Sequence, residues 1–256
     1  MKCGATLKCK ESQRWYLGVH NKTPLHAIAG DMGWDDSLIR RHISILRLWN
    51  RLIKMDNSRI AKMIFMWDKR ICRKNWNYDA KSILEKIDCS ENFDNNTTID
   101  LKLAATKLRN IMSLQWKEEL NAKPKLRTYV KFKENYGTES YVKFCMNRTE
   151  RSLIAQIRSG TLPINIEVGR FRQIDIENRL CSFCDLGVIE DEIHFVTICP
   201  LYDDCRALMY SKISDNDFFQ YSNEEKFIFL IKNKWKLLAK YMKAAWDIRK
   251  KRLYND

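Results

Sequence analysis

Residues 181–199 carry the run Cys181-x2-Cys184-x9-His194-x4-Cys199, and nothing else in the chain restricts its folding so tightly. Three thiols and an imidazole at this spacing suit the four corners of one tetrahedral ion. A Cys-x2-Cys turn curls two thiolates towards a common point. Asp191 and Glu192 precede His194 and suit the positive end of a helix dipole. The spacing therefore predicts a short helix carrying His194, with Cys199 just past it and Pro200 marking the exit. Four protein ligands leave no open position, which points to a structural rather than a catalytic ion. The expectation is one structural Zn2+ held in the segment 178–206. Cys205 is an alternative ligand further on, whereas Cys3, Cys9, Cys72, Cys89 and Cys145 read as ordinary core or surface thiols.

The rest of the chain reads as mainly α, a multi-helix assembly braced by this small Cys3His segment. Eight Gly and four Pro in 256 residues fall well below the usual shares of about 7% and 5%. An all-β sandwich needs those residues for its hairpins. After a turn-rich start, Ser37–Met55 repeats apolar residues at helical spacing through Leu38, His42, Ile45, Trp49 and Leu52. A second helix, capped at Ser58, places Ile60, Met63, Ile64, Trp67 and Ile71 on one stripe. A short helix follows over Asp79–Ile87.

Residues 89–98 lose periodicity and read as a polar linker between a basic helical region at 1–88 and a second helical region at 99–256. Ile99–Asn121 predicts a long helix. Residues 126–147 fit either short strands or a further helix. Thr149 caps a helix through Ile157, and another runs from Asp203 to Ile213. A last helix spans Glu224–Arg252 with Ile228, Ile231, Trp235, Leu238, Met242 and Ala245 in register.

Charge narrows the partners. The chain carries 46 basic and 32 acidic residues, a net charge of +14, which favours polyanions. Between Arg40 and Lys74 eleven basic residues face two acids, and between Lys226 and Arg252 ten face one. Candidate phosphate contacts are Arg40, Arg41, Arg47, Arg51, Lys62, Arg70, Arg73 and Lys74, and on the last helix Lys232, Lys236, Lys240 and Lys243. The alternative for the arginines is a solvated helix face. Trp76 or Tyr78 could stack on unpaired bases. From Asp175 to Asp204, by contrast, eight acids stand against Arg179 alone, so the metal segment reads as a brace and not as a phosphate grip. The start of the chain has no apolar signal region, and the longest apolar runs, such as Phe227–Ile231, are too short to cross a bilayer. An intracellular protein, nuclear or cytoplasmic and not secreted, is expected.

Several stretches resemble the region downstream of the polymerase core in non-LTR (LINE-type) retrotransposon reverse-transcriptase polyproteins. They are Arg14-Trp15-Tyr16-Leu17-Gly18-Val19-His20, Gly30-Asp31-Met32-Gly33-Trp34 and Ile45-Leu46-Arg47-Leu48-Trp49-Asn50-Arg51-Leu52. Arg158-Ser159-Gly160 to Pro163 and Ile166-Glu167-Val168-Gly169-Arg170-Phe171 are similar to the lead-in to that family's Cys-Cys-His-Cys segment. Glu190-Asp191-Glu192-Ile193-His194-Phe195 and Cys199-Pro200-Leu201-Tyr202 to Arg206 resemble the segment itself. The resemblance covers about residues 14–210 and implies the C-terminal portion of such a polyprotein, which holds template RNA or target DNA.

The family's aromatic-Ala-Asp-Asp polymerase turn has no counterpart here. Tyr202-Asp203-Asp204 lacks the intervening residue and reads as a helix start. The family's Pro-Asp nuclease motif is also missing, since the four prolines precede Leu25, Lys125, Ile164 and Leu201. The four histidines, His20, His26, His42 and His194, are scattered.

The expected function is thus non-catalytic binding of RNA or single-stranded DNA. The alternative is a protein-interaction or scaffolding module that docks on a reverse-transcriptase core or on another copy of itself. Neither a membrane nor a small-molecule substrate is expected as a partner. The basic C-terminal helix could lie on a membrane, but its core-type spacing favours packing.

Overall fold

The computed structural model describes the backbone of residues 4–254, with side chains from residue 11 onward. Among the described residues the chain is mainly helical and has no β-strand; one isolated antiparallel bridge joins Leu180 and Ile189. Helix α1 (Gly4–Leu17) and α2 (Leu25–Met32) come first. They are followed by α3 (Ser37–Ile53), α4 (Ile60–Ile71), α5 (Trp76–Lys86), α6 (Ser90–Asp94) and α7 (Leu101–Asn121). Beyond these lie α8 (Tyr129–Phe132), α9 (Ser140–Lys143), α10 (Arg148–Arg158), α11 (Asn165–Phe171), α12 (Asp203–Tyr210), α13 (Asn223–Asn233) and α14 (Trp235–Tyr254). The chain forms two compact units, one built on Trp34–Gln115 and the other on Lys8–Gly33 together with the chain from Trp116 onward.

In the first unit α3 starts at Asp36, whose carboxylate accepts from the Leu38 N–H. Its buried face is Ile39, Ile43, Leu46 and Trp49, with Ile45 beside it. The stripe drawn through Leu38 and His42 is therefore rotated: Leu38 is exposed and His42 half-buried. Both series have helical spacing, but only the face through Ile39, Ile43, Leu46 and Trp49 is apolar and buried throughout.

Helix α4 departs further from expectation. It begins after Arg59, while Ser58 donates to Asp56 in the preceding turn. The apolar stripe of Ile60, Met63, Ile64, Trp67 and Ile71 is exposed, and the helix buries Phe65 and Lys62 instead. Two anchors set this rotation. The Phe65 ring meets Trp49 edge-on at 5.6 Å, and the Lys62 ammonium donates to the carbonyls of Leu52 (2.9 Å) and Ile53 (3.0 Å) at the end of α3. The Leu52 carbonyl otherwise accepts from the turn that ends the helix, the Met55 N–H at 3.3 Å, so a buried cation there suits the negative end of the helix.

The polar stretch 89–98 is not a linker. It contains α6, and Phe93 stacks on Trp49 with ring centres 5.4 Å apart. The Trp49 indole donates to the Thr97 carbonyl at 3.1 Å. Asn50 and Ile99 exchange two hydrogen bonds of 2.8 and 2.9 Å. The boundary between the units falls at Gln115/Trp116, within α7, and residues 8–33 belong with the C-terminal part. The expected division into 1–88 and 99–256 is corrected accordingly: one aromatic residue among polar neighbours is enough to bind the stretch to a core.

In the second unit the undecided residues 126–147 form the short helices α8 and α9. Asn147, rather than Thr149, caps α10, accepting from the Thr149 N–H at 2.8 Å. The expected single C-terminal helix is two, α13 and α14, separated at Lys234 (φ −127°, ψ 29°). Helix α13 opens with a capping box between Ser222 and Glu225.

The polar centre of this unit is a buried bidentate pair. Arg158 donates to both Asp31 oxygens at 2.8 Å, and the Tyr129 and Tyr141 hydroxyls donate to the same carboxylate at 2.8 and 2.7 Å. Burial alone would raise the Asp31 pKa, but the Arg158 charge and these hydrogen bonds outweigh it and hold the carboxyl below its usual range.

Candidate metal centre

Three local structures carry the four ligands. Cys181 lies at the end of a two-strand-like ribbon. Its N–H donates to the Val188 carbonyl at 2.9 Å, and the Glu190 N–H donates to Arg179 at 3.0 Å. The intervening loop carries Cys184 and turns at Gly187, whose φ of +63° is costly for any residue with a Cβ.

The third structure is a short helix capped by Asp191, whose carboxylate accepts from the His194 N–H at 2.7 Å. Over His194–Ile198 it widens into a π-turn, closed by the Cys199 N–H donating to the His194 carbonyl at 2.9 Å. That widening brings the two ligands together. Residues five apart on an α-helix diverge by about 140°, whereas one π-turn returns the chain to nearly the same side.

The ligand atoms of Cys181, Cys184, His194 and Cys199 all lie within 4.8 Å of one another. The Sγ atoms of Cys181 and Cys199 are 3.9 Å apart, and Cys184 Sγ is 3.5 Å from His194 Nε2. The edges of a tetrahedron with metal–sulfur bonds near 2.3 Å and metal–nitrogen bonds near 2.0 Å are about 3.8 and about 3.5 Å. Those two pairs match tetrahedral edges and the donor types suit one ion, so this group could hold a metal. Cys205 lies outside the cluster. The Cys181 thiol is pushed up to about 12, first by its hydrogen bond with Cys199 and then by burial, and the same contact lowers Cys199.

A buried polar layer fixes the segment to the second unit. Glu190 is fully buried. It pairs with Arg249 of α14, accepting from Nη2 at 2.9 Å, and its Oε2 also accepts from the Asn165 N–H at 2.7 Å. Glu192 accepts from Arg127 at 2.7 Å and from Thr128 at 3.2 Å, and burial raises its pKa. Arg206 donates to the Val196 and Cys199 carbonyls at 3.1 and 2.5 Å and pairs with Asp203. The Tyr241 hydroxyl donates to Phe195 at 2.7 Å. Part of the segment's acidic excess is therefore neutralised internally. These partners escape sequence reasoning because Glu190 and Arg249 are 59 residues apart; the one local signal was a run of acids inside an otherwise apolar stretch.

The basic candidates divide. Arg40, Arg41, Arg47, Arg51, Arg70, Arg73 and Lys74 are exposed on the first unit. Lys62 is 6% exposed and caps α3, so it is corrected from a phosphate contact to a structural residue. On the second unit Lys232, Lys236, Lys240 and Lys243 are exposed. Lys232 pairs with Glu134 at 2.7 Å, and Lys236 lies over the Phe144 ring at 4.2 Å. Trp76 packs edge-on against Phe65 at 6.1 Å and so belongs to the core, while Tyr78 is exposed. Tyr202-Asp203-Asp204 opens α12, as expected of a helix start. No described helix is long and apolar enough to cross a membrane. Cys3 lies outside the described residues, as does the Cys9 side chain.

Compared with family models, with curated proteins and with solved structures, the chain matches none.

Proposed function

We propose that the chain is a non-catalytic nucleic-acid-binding module, braced by one structural zinc ion, and that it derives from the C-terminal portion of a non-LTR retrotransposon polyprotein. Zinc is the ion that Cys3His donors at tetrahedral spacing suit best, and four protein ligands leave no place for a substrate. The observation that carries nucleic-acid binding is the surface of α3, α4 and the turn after α4. Arg40, Arg41, Arg47, Arg51, Arg70, Arg73 and Lys74 are all exposed there, and the span from Arg40 to Lys74 holds two acids, Asp56 and Asp68. Such a surface binds phosphate chains with little sequence preference and with steep salt dependence. Binding of a labelled single-stranded RNA at several salt concentrations tests this: affinity should fall by about 0.7 logarithmic units per phosphate contact for each tenfold rise in salt. Equal affinity at low and moderate salt contradicts it. The non-catalytic reading has further support in Tyr202 and Asp203, which are tied to Arg249 and Arg206 as structural groups.

One observation favours a second reading, docking on another protein. The exposed α4 stripe of Ile60, Met63, Ile64, Trp67 and Ile71 is bordered by Arg59, Arg70, Arg73 and Lys74. An antiparallel self-pair would set these cations against one another, so the complementary partner is an apolar groove with an acidic rim. Ile64→Asp with Trp67→Asp should abolish such a complex and leave the salt dependence of RNA binding unchanged.

A further inference from the structure

We infer that the second unit holds a groove for an unpaired nucleic-acid strand, with Trp15 and Phe171 as base-stacking platforms. The inference rests on the nucleic-acid reading above but assigns the bases to residues outside the basic helices.

Two adjoining cavities, of ≈ 640 and ≈ 350 Å³, share His20 and Gln156 in their walls. The larger is lined by Arg14, Arg148 and Lys250 with the indoles of Trp15 and Trp246, and among the described residues no carboxylate lines it. Trp15 is 70% exposed, and the Arg148 guanidinium lies 5.3 Å from its ring centre. The smaller holds Phe171, 56% exposed, with Lys22 at 5.6 Å and Lys125 at 5.9 Å from the ring centre. Arg170 stands 4.8 Å from the same ring. Among the described residues the only acid lining it is Glu167, which Lys125 and Arg170 already engage.

The walls are pre-ordered. Gly18 turns the chain after α1 at φ +67°, where a Cβ would lie 3.0 Å from the Ser152 Cβ. Ser152 donates to the Gly18 carbonyl at 2.6 Å, and Gln156 donates to Ser152 at 2.8 Å. Two polar groups are left without a partner. The Thr23 hydroxyl is buried in the wall of the smaller cavity on a residue 2% exposed, and the Arg14 Nε is buried beside the larger. Adjoining cavities that each set an exposed ring among cations match a strand of stacked bases on a phosphate chain. Free mononucleotides or non-nucleic polyanions would use the cations without needing two platforms.

The test uses the full chain with labelled 12-nucleotide RNA and DNA strands, the same strand with abasic sites, and heparin. Wild type should bind strands with bases more tightly than the abasic strand. Trp15→Ala and Phe171→Ala each should weaken binding to strands with bases about fivefold or more and reduce the preference over the abasic strand, the double variant should abolish that preference, and all three should leave heparin binding and the salt slope unchanged. Arg47→Glu with Arg51→Glu should instead lower the salt slope and keep that preference. Photocrosslinking should place the strand on the peptides containing Trp15 and Phe171. If wild type binds strands but both alanine variants bind identically, the groove is overturned while the nucleic-acid reading stands. If wild type binds no strand at low salt, the nucleic-acid reading itself fails. Equal binding of RNA and DNA supports stacking alone, and RNA preference adds a 2′-hydroxyl contact.

Discussion

Single residues in this chain have roles that their type alone would misassign. The ligand atoms of Cys181, Cys184, His194 and Cys199 lie within 4.8 Å of one another; under the proposed zinc brace, Cys184→Ser or Cys199→Ser should reduce zinc from one per chain to near zero in elemental analysis. Lys62 looks like a phosphate ligand but holds the end of α3. Lys62→Ala removes the ammonium from the Leu52 and Ile53 carbonyls at the end of α3, and should cost about 1–3 kcal/mol in denaturant unfolding while leaving the salt slope of RNA binding unchanged. Arg249 counts among the basic residues of the C-terminal helix, yet it is buried against Glu190. Arg249→Met strands a buried carboxylate and should cost about 3–5 kcal/mol.

At the scale of elements, the helices were legible wherever a continuous apolar face or a capping residue marked them, as at α3, α7 and α12. Their orientation was less so. Helix α4 has helical spacing on its exposed stripe, and only the long-range contacts of Phe65 and Lys62 decide which face is buried. The break at Lys234 interrupts a pattern whose register continues on both sides, so periodicity alone joins α13 to α14. Residues 89–98 read as polar because Phe93 is the only aromatic among them. Phe93→Ala should therefore destabilise the first unit by about 3–5 kcal/mol, whereas a solvated linker would show almost no change. The Cys3His group that could hold a metal was legible because all four residues lie within one short stretch. The Glu190–Arg249 pair and the groove of Trp15 and Phe171 were not, since each joins residues far apart in sequence.

At the scale of the molecule, the second unit combines two polar centres, the metal cluster and the Asp31–Arg158 pair. Because the Asp31 carboxyl is held below its usual value of 3.8, the pair contributes stability that is present above that value and is lost as pH falls through the lower folded value. Acid unfolding monitored by circular dichroism should thus steepen below about pH 4, and Asp31→Asn should lower stability at pH 7 and flatten that acid limb. The cluster acts through the same core, because Phe195 and Val196, between His194 and Cys199, are fully buried in it. X-ray absorption at the zinc edge on purified protein, paired with thermal unfolding before and after chelation, tests the brace most directly. One zinc per chain with three sulfur neighbours and one nitrogen, and a lower melting temperature once it is stripped, is the predicted result. A folded, metal-free protein whose melting temperature ignores both zinc and chelator would contradict it.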